Sequence, residues 1–359
     1  MSKLKIAIIG TVGIPAKYGG FETLTEYLTK NLANKYDTTV YCSGKSYSEK
    51  LENHNGAKLK YINLHANGVQ SIPYDIISIF SSLRFANTLL ILGVSGCIVL
   101  PLVRLFSKKR IVVNIDGLEW KREKWGNGAK WFLKLSEKLA VKYADVVVAD
   151  NAVIQKYVMS EYGVQSELIA YGADHVTKEV LSDELKDEYS FLAKPYAFKV
   201  CRIEPENNVH MILEAFSQYR DLNIVMIGNW VNSEYGKELK GKYSSFENIY
   251  LLDPIYDQQI LNQIRSNCFV YMHGHSAGGT NPSLVEAMYL GLPIYAFGVA
   301  YNKATTRNAA KYFNDKDELL GLLRSIDAAE LKENSASMKR VAEENYTWDK
   351  IAQQYAELF

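Results

Sequence analysis

The sequence has no paired cysteines, and that absence removes two kinds of site at once. Cys42, Cys97, Cys201 and Cys268 are far apart, form no C-x-x-C pair and sit in apolar, strand-like contexts. They read as buried free thiols in a reducing cytoplasm, not as a disulfide framework or a metal site. Net charge is scarce as well: 41 Lys and Arg stand against 40 Asp and Glu, leaving +1. With no RNA- or DNA-binding signature, that balance argues against a dedicated nucleic-acid binder. No secretory leader is expected, because Met1, Ser2 and Lys3 lead straight into the strand KIAII. The most apolar run, Thr88 to Phe106, is interrupted by Gly93, Gly96, Pro101 and Arg104, so a buried strand followed by a packed helix is expected there. The G-x-G-x-x-G fingerprint is missing too. After Gly10 and Gly13 the next glycine is Gly19, and no acidic residue closes a second strand at the right distance, which disfavours a nicotinamide cofactor.

What is present suits two globular domains. The chain has 359 residues, 48% hydrophobic and 23% charged. Its charge is unevenly divided: residues 1–175 hold 22 Lys and Arg against 15 Asp and Glu, the remainder 19 against 25. A basic N-terminal half suggests contact with something anionic, such as a membrane surface or a phosphorylated acceptor.

The pattern alternates strand and helix. Lys5–Ile9 is a continuous apolar run, followed by a mobile glycine loop and a helix from about Phe21 to Lys35. Strands at 38–43, 59–64, 88–92 and 110–116 follow, with a helix near 74–86, then strand-like segments at 144–150 and 166–175. Such alternation predicts a doubly wound parallel sheet. Residues 176–194 are polar and read as the crossing between domains. A second α/β unit runs from 195 to 340, with strands near 196–201, 223–229, 247–257 and 268–274 and helices at 209–219 and 257–265; residues 341–359 form an amphipathic helix that docks on the body.

The stretch Met272–Phe297 carries most of the chemistry. Gly278 and Gly279 permit close backbone approach, Thr280 or Asn281 can cap a helix, and Pro282 suits its first position. A helix N-terminus behind two glycines suits a phosphate or diphosphate; an ordinary loop–helix connection is the competing reading. Glu286, just over a turn later, is within reach of hydroxyls on the same ligand. Arg202 follows a buried strand and can converge on that diphosphate, unless a salt bridge with Glu204 or Glu206 occupies it. Asp116 ends another strand, as a site carboxylate or a plain helix cap. From Glu119 to Lys142, seven cations and three anions are interleaved with Trp120, Trp125, Trp131 and Phe132. That mixture suits a membrane interface or a lipid-phosphate acceptor, with Glu119, Trp120, Lys121, Arg122, Lys124 and Trp125 as contacts; the alternative is a surface helix whose Trp residues pack inward. Asp315 and Asp317 form a D-x-D string better explained by helix capping than by a metal. His273 and His275 have no Asp, Glu or Cys at zinc spacing and read as lining.

Three strings make the chain recognisable: GGFET at 19–23, CRIEPENN at 201–208 and GGTNPSLVEAMYLG at 278–291. Together with NIDGLEWKREKW and the closing helix, they resemble retaining glycosyltransferase family 4, and within it the bacterial rhamnosyltransferase branch of capsule and cell-wall polysaccharide synthesis. The resemblance implies a GT-B fold: two Rossmann-like domains facing across a cleft, the C-terminal helix docking back. It implies a metal-independent hexosyltransferase without cofactor, peripheral at the cytoplasmic face of the cell membrane. Transfer would run from dTDP-β-L-rhamnose to a lipid-diphosphate-linked GlcNAc or glucose, with retention and a β-1,4 linkage. Arg202 matches the arginine that neutralises the donor diphosphate. Asn207 stands where a lysine is usual, Gly19 and Gly20 match the loop over the donor phosphates, and Gly279, Thr280 and Asn281 continue the donor site. Glu286 matches the second carboxylate of an E-x7-E pair, at the nucleoside's sugar. The first carboxylate of that pair is replaced by Gly278, which fits a 6-deoxy sugar better than glucose or mannose. Asp116 lies where a histidine is common near the reacting sugar and would act as acid/base or in positioning. The same fold with a UDP-hexose donor, or a nucleotide-sugar epimerase or binding protein that transfers nothing, are the alternatives.

Overall fold

The computed structural model describes residues 3–17, 19–121 and 125–359. It divides into two compact units, one running to Gly172 and including Trp348–Phe359, the other Ala173–Thr347. In chain order the first unit contains β1 (Leu4–Ile9), α1 (Gly20–Leu32), β2 (Tyr36–Ser43), β3 (Asn53–His54), β4 (Ala57–Ile62), α2 (Ser71–Ser82), β5 (Thr88–Leu92) and α3 (Leu100–Phe106). It continues with β6 (Arg110–Asn114), α4 (Asn127–Tyr143), β7 (Val146–Ala149), α5 (Ala152–Tyr162) and β8 (Glu167–Leu168). The sheet order is β3-β4-β2-β1-β5-β6-β7-β8, parallel except for the short β3–β4 pairing. Ile6–Ile9, Leu89–Leu92 and Ile111–Val113 are buried without alternation, the pattern of central parallel strands covered on both faces. The apolar run from Thr88 divides into β5 and α3, and no helix among the described residues is long and apolar enough to cross a membrane.

The second unit contains α6 (Asp183–Glu188), β9 (Tyr196–Val200), α7 (Val209–Gln218), β10 (Asn223–Ile227), α8 (Glu234–Tyr243), β11 (Ile249–Leu252) and α9 (Gln258–Ser266). It closes with β12 (Val270–His273), α10 (Pro282–Tyr289), β13 (Ile294–Phe297), α11 (Ala300–Thr305), β14 (Lys311–Phe313), α12 (Lys316–Arg324) and α13 (Ala328–Asn345). Its sheet is wholly parallel, in the order β11-β10-β9-β12-β13-β14. One core fills the side covered by α7, α8 and α12, with Phe216, Trp230, Met272 and Phe313 at its centre.

Several boundaries differ from the sequence reading. Residues 176–194 lie inside the second unit, and α13 runs straight through the break expected at 340. The helix α8 has no counterpart in the sequence pattern, because Gly236 and Gly241 dilute its periodicity. Gly236 is needed where it is: a Cβ there would lie 2.5 Å from the Trp230 carbonyl oxygen.

The last helix, α14 (Trp348–Leu358), completes the first unit. Trp348 stacks on Tyr27 of α1 at 4.6 Å between ring centroids. Tyr36 donates its hydroxyl to the Ala356 carbonyl, and buried Asn114 donates its amide to the Tyr355 hydroxyl at 2.8 Å. Removing the hydroxyl strands that amide in the core, so Tyr355→Phe should cost about 1–3 kcal/mol, read as a lowered midpoint in denaturant at unchanged slope.

Candidate functional site

Strand order in the second unit reverses between β9 and β12, the place in an open α/β sheet where ligands collect beyond the strands' carboxyl ends. Arg202 follows β9 and the glycine loop follows β12, so the two predicted elements flank that point. The loops are also bonded together. The Asn207 amide donates to the Arg202 carbonyl oxygen at 2.8 Å, and its Oδ1 lies 3.1 Å from His275 Nδ1. Ser276 donates both its N–H and its hydroxyl to the Glu206 carbonyl. A Cβ on Gly274 would stand 2.3 Å from the Asn207 carbonyl oxygen, so only glycine allows the approach. Asn207 is therefore a structural tie between the two loops.

Arg202 is exposed, and its guanidinium has no carboxylate partner among the described residues; neither Glu204 nor Glu206 reaches it. On the neighbouring loop, the Gly278 and Gly279 amides donate to nothing among the described residues. Gly278 has φ of 101°, with its Cβ position 3.3 Å from His275 Nε2, so any side chain there would be strained. Asn281, not Thr280, caps α10: its Oδ1 accepts from the Ser283 N–H and hydroxyl. Thr280 is buried beside it.

Glu286 is held by an arginine and a histidine. Its Oε2 takes the Arg265 guanidinium of α9, and its Oε1 lies 3.2 Å from His175 Nε2. Burial alone would raise this carboxyl, but Arg265 and His175 outweigh it and hold it down to about 2. Each oxygen keeps a further acceptor position for a ligand hydroxyl. Neither Arg265 nor His175 carries a local sequence signal: both reach Glu286 from other elements. His273 and His275 line the same strand end. His273 is buried with an unpartnered Nε2, and burial pushes its ring well below the usual histidine range.

In the first unit, the loop after β1 is tied down rather than free. Glu22 of α1 accepts from the Val12 N–H at 2.7 Å and the Thr11 hydroxyl at 3.0 Å. Glu26, one turn on, accepts from the Ala16 N–H at 2.9 Å and contacts His54 and Asn55. The Tyr74 hydroxyl donates to the Thr11 carbonyl as well. Gly19 has φ of 127°, and a Cβ there would collide with the Glu22 carboxylate; Gly20 opens α1. The loop expected to be mobile from its glycines thus carries these ties among its described residues. Asp116 sits beyond β6 with φ of 62° and accepts no helix role. It is close enough to Glu22 for mutual repulsion, which adds to burial in raising the Glu22 carboxyl. Among the described residues, no three His, Cys, Asp or Glu converge as a metal-binding group. Asp315 caps α12 through the Glu318 N–H.

Comparison with known proteins places this geometry. Residues 182–343 match the family model described as glycosyl transferases group 1, and residues 3–174 match a domain of unknown function (DUF1972). The second unit is thus similar to group 1 glycosyl transferases over most of its length. The whole chain also has the GT-B fold. It is similar to sucrose-phosphate synthase from Thermosynechococcus elongatus at 16% identity and a TM-score of 0.82, covering 99% of this chain and 98% of that one. It is similar to HepE of Anabaena, solved in complex with UDP-glucose, at 14% identity and a TM-score of 0.76, covering 99% and 98%. Trehalose-6-phosphate synthase from Burkholderia multivorans matches at 11% identity and a TM-score of 0.74, covering 100% and 96%.

The switch-point loops and α10 all lie within residues 182–343, the part that matches. The aromatic-basic segment lies outside it, and there Trp120 and Trp125 are tied internally while Trp131 is exposed. Trp120 donates its indole N–H to Glu137 at 3.0 Å, and Trp125 donates to Glu119 at 3.0 Å. Buried Glu137 also accepts from the Tyr157 and Tyr162 hydroxyls, while Lys121 and Lys134 lie over the Trp120 ring. Arg122 and Lys124 lie outside the described residues. The Trp120 indole N–H is therefore committed to Glu137.

Because the Glu286 carboxyl is depressed on folding, its stabilisation is complete above its ordinary value of 4.5 and is lost as pH falls through about 2. The stability gap between the native protein and Glu286→Gln should therefore be about 3 kcal/mol near neutrality and shrink steadily below pH 4.5, measured by urea unfolding across that range.

Proposed function

We propose that the chain transfers L-rhamnose from dTDP-β-L-rhamnose to a lipid-diphosphate-linked GlcNAc or glucose, in building a bacterial surface polysaccharide. The observation that carries the transferase reading is that the Arg202 guanidinium, without a carboxylate partner among the described residues, and the uncommitted Gly278 and Gly279 amides sit on two bonded loops at the switch point of the second unit. As the glycosidic bond of the donor breaks, negative charge collects on the departing diphosphate. A cation and two preorganised N–H groups stabilise that charge more than they stabilise the intact donor. No metal is assigned a role in this step. Glu286, oriented by Arg265 and His175, receives the hydroxyls of the nucleoside's sugar.

The rhamnose part of the reading rests on Gly278. A glucose- or mannose-type sugar anchored by a carboxylate at this position would need a side chain where φ of 101° and the His275 ring disfavour one. A 6-deoxy sugar that does not use that anchor fits the glycine. Asp116, beside Glu22, is proposed as acid/base or positioning group toward the acceptor hydroxyl. A UDP-hexose donor is the second reading, favoured by the UDP-glucose complex of HepE.

A donor panel scored by nucleotide release, with lipid-linked GlcNAc and glucose as acceptors, tests this directly. dTDP-rhamnose should be turned over fastest; a faster UDP-hexose would replace the donor, and interconversion of the donor without transfer would replace the reaction. Arg202→Ala should lower kcat on the order of 10²-fold or more, and near-normal turnover would sink the diphosphate role.

A further inference from the structure

The exposed face of α3 and the outward face of the α4 helix packed against it carry side chains that the proposed donor site does not use. Four large apolar side chains stand out on these two packed helices: Leu102, Leu105 and Phe106 at 46%, 76% and 81% exposure, and Trp131 at 68%. α3 has seven residues and buries only Leu100 and Val103, so its apolar content exceeds what its packing requires. A soluble surface tolerates such residues singly; several together on adjoining helices indicate a partner.

The charge beside them says which kind. Where the ends of α3 and α4 meet, a depression of about 450 Å³ is lined by Arg104, Lys108, Lys142 and Asp145 among others. Asp145 is neutralised, accepting from Arg104 at 2.7 Å and from the Ile111 N–H at 2.7 Å. The other Arg104 donors go to the Tyr143 and Lys109 carbonyls. Lys108 and Lys142 are exposed and have no carboxylate partner among the described residues. Lys138 adds a further exposed cation on the same outward face of α4. An apolar ridge bearing Trp and Phe, bordered by unpaired lysines, matches the acyl–headgroup boundary of an anionic bilayer, where aromatic rings and lysine stems both sit favourably.

We propose that this face, Leu102–Phe106 with Trp131, Lys108 and Lys142, is the surface by which the protein docks on an anionic phospholipid membrane. The inference rests on the lipid-linked acceptor reading for its purpose, but not for its geometry. It also moves the membrane contact away from Trp120 and Trp125, whose indole N–H groups are already committed. Each lysine near the surface adds roughly fivefold to the partition constant, and the attraction weakens as salt screens it.

The test is co-sedimentation of the full chain with vesicles of phosphatidylcholine, with and without phosphatidylglycerol at about a third of the lipid. The native protein should pellet with the anionic vesicles and be released by high salt. Lys108→Glu with Lys142→Glu, and separately Leu105→Ser with Phe106→Ser, should each reduce binding about tenfold or more, with unchanged melting temperature because these side chains are exposed. A protein that ignores anionic vesicles, or variants that pellet like the native chain, would overturn the proposal. Turnover of a water-soluble acceptor by the same variants should be unaffected, so failure of docking and failure of the transferase reading give different results.

Discussion

Two neighbouring strand ends, β9 and β12, have to be held at one spacing for the proposed donor site to exist, and the Asn207 side chain sets it. One end of its amide closes the Arg202 turn and the other meets the His275 ring, so the loops move together. Gly274 completes the constraint by letting the Asn207 carbonyl approach to a distance that excludes any Cβ. With both loops bound to each other, the backbone that carries Arg202 and the Gly278 and Gly279 amides is held without a ligand. Catalysis by charge stabilisation depends on that, because donors that must reorganise lose most of their advantage.

Buried carboxylates perform the same organising task elsewhere. Glu22 and Glu26 hold the loop after β1 through its own N–H groups, and Glu137 gathers Trp120, Tyr157 and Tyr162 beneath α4. Glu286 differs in being offset by the full charge of Arg265. Removing either partner would leave the other charged in a dry site, a cost of about 3–5 kcal/mol by comparison with other buried pairs. That pinning gives Glu286 a single orientation.

The strands were legible from the residues because central parallel strands are buried on both faces and read as unbroken apolar runs. The flanks of the proposed site were legible for a related reason: Arg202 directly after one such run, and glycines before Asn281-Pro282 after another, have few other uses. The commitments of the remaining polar groups were not. The hydrogen bonds by which Asn207 ties the two loops are not written in its spacing, and nor is the bond of the Trp120 indole to Glu137. Arg265 and His175 reach Glu286 from a different helix and a distant loop, and no local spacing records a contact of that kind. The helix α8 escaped notice because Gly236, which weakens helical periodicity, is there to fit under Trp230.

By itself the sequence determined the alternation of strands and helices and the places where the backbone must turn tightly, since periodicity, capping and glycine act within a few residues. Tertiary structure alone decided which charged and aromatic groups are spent internally and which remain for a ligand or a surface. The reason is physical: burial and pairing depend on neighbours brought together across the sheet. Leu105, Phe106 and Lys108 stand free for the same reason that Trp120, Trp125 and Glu137 do not.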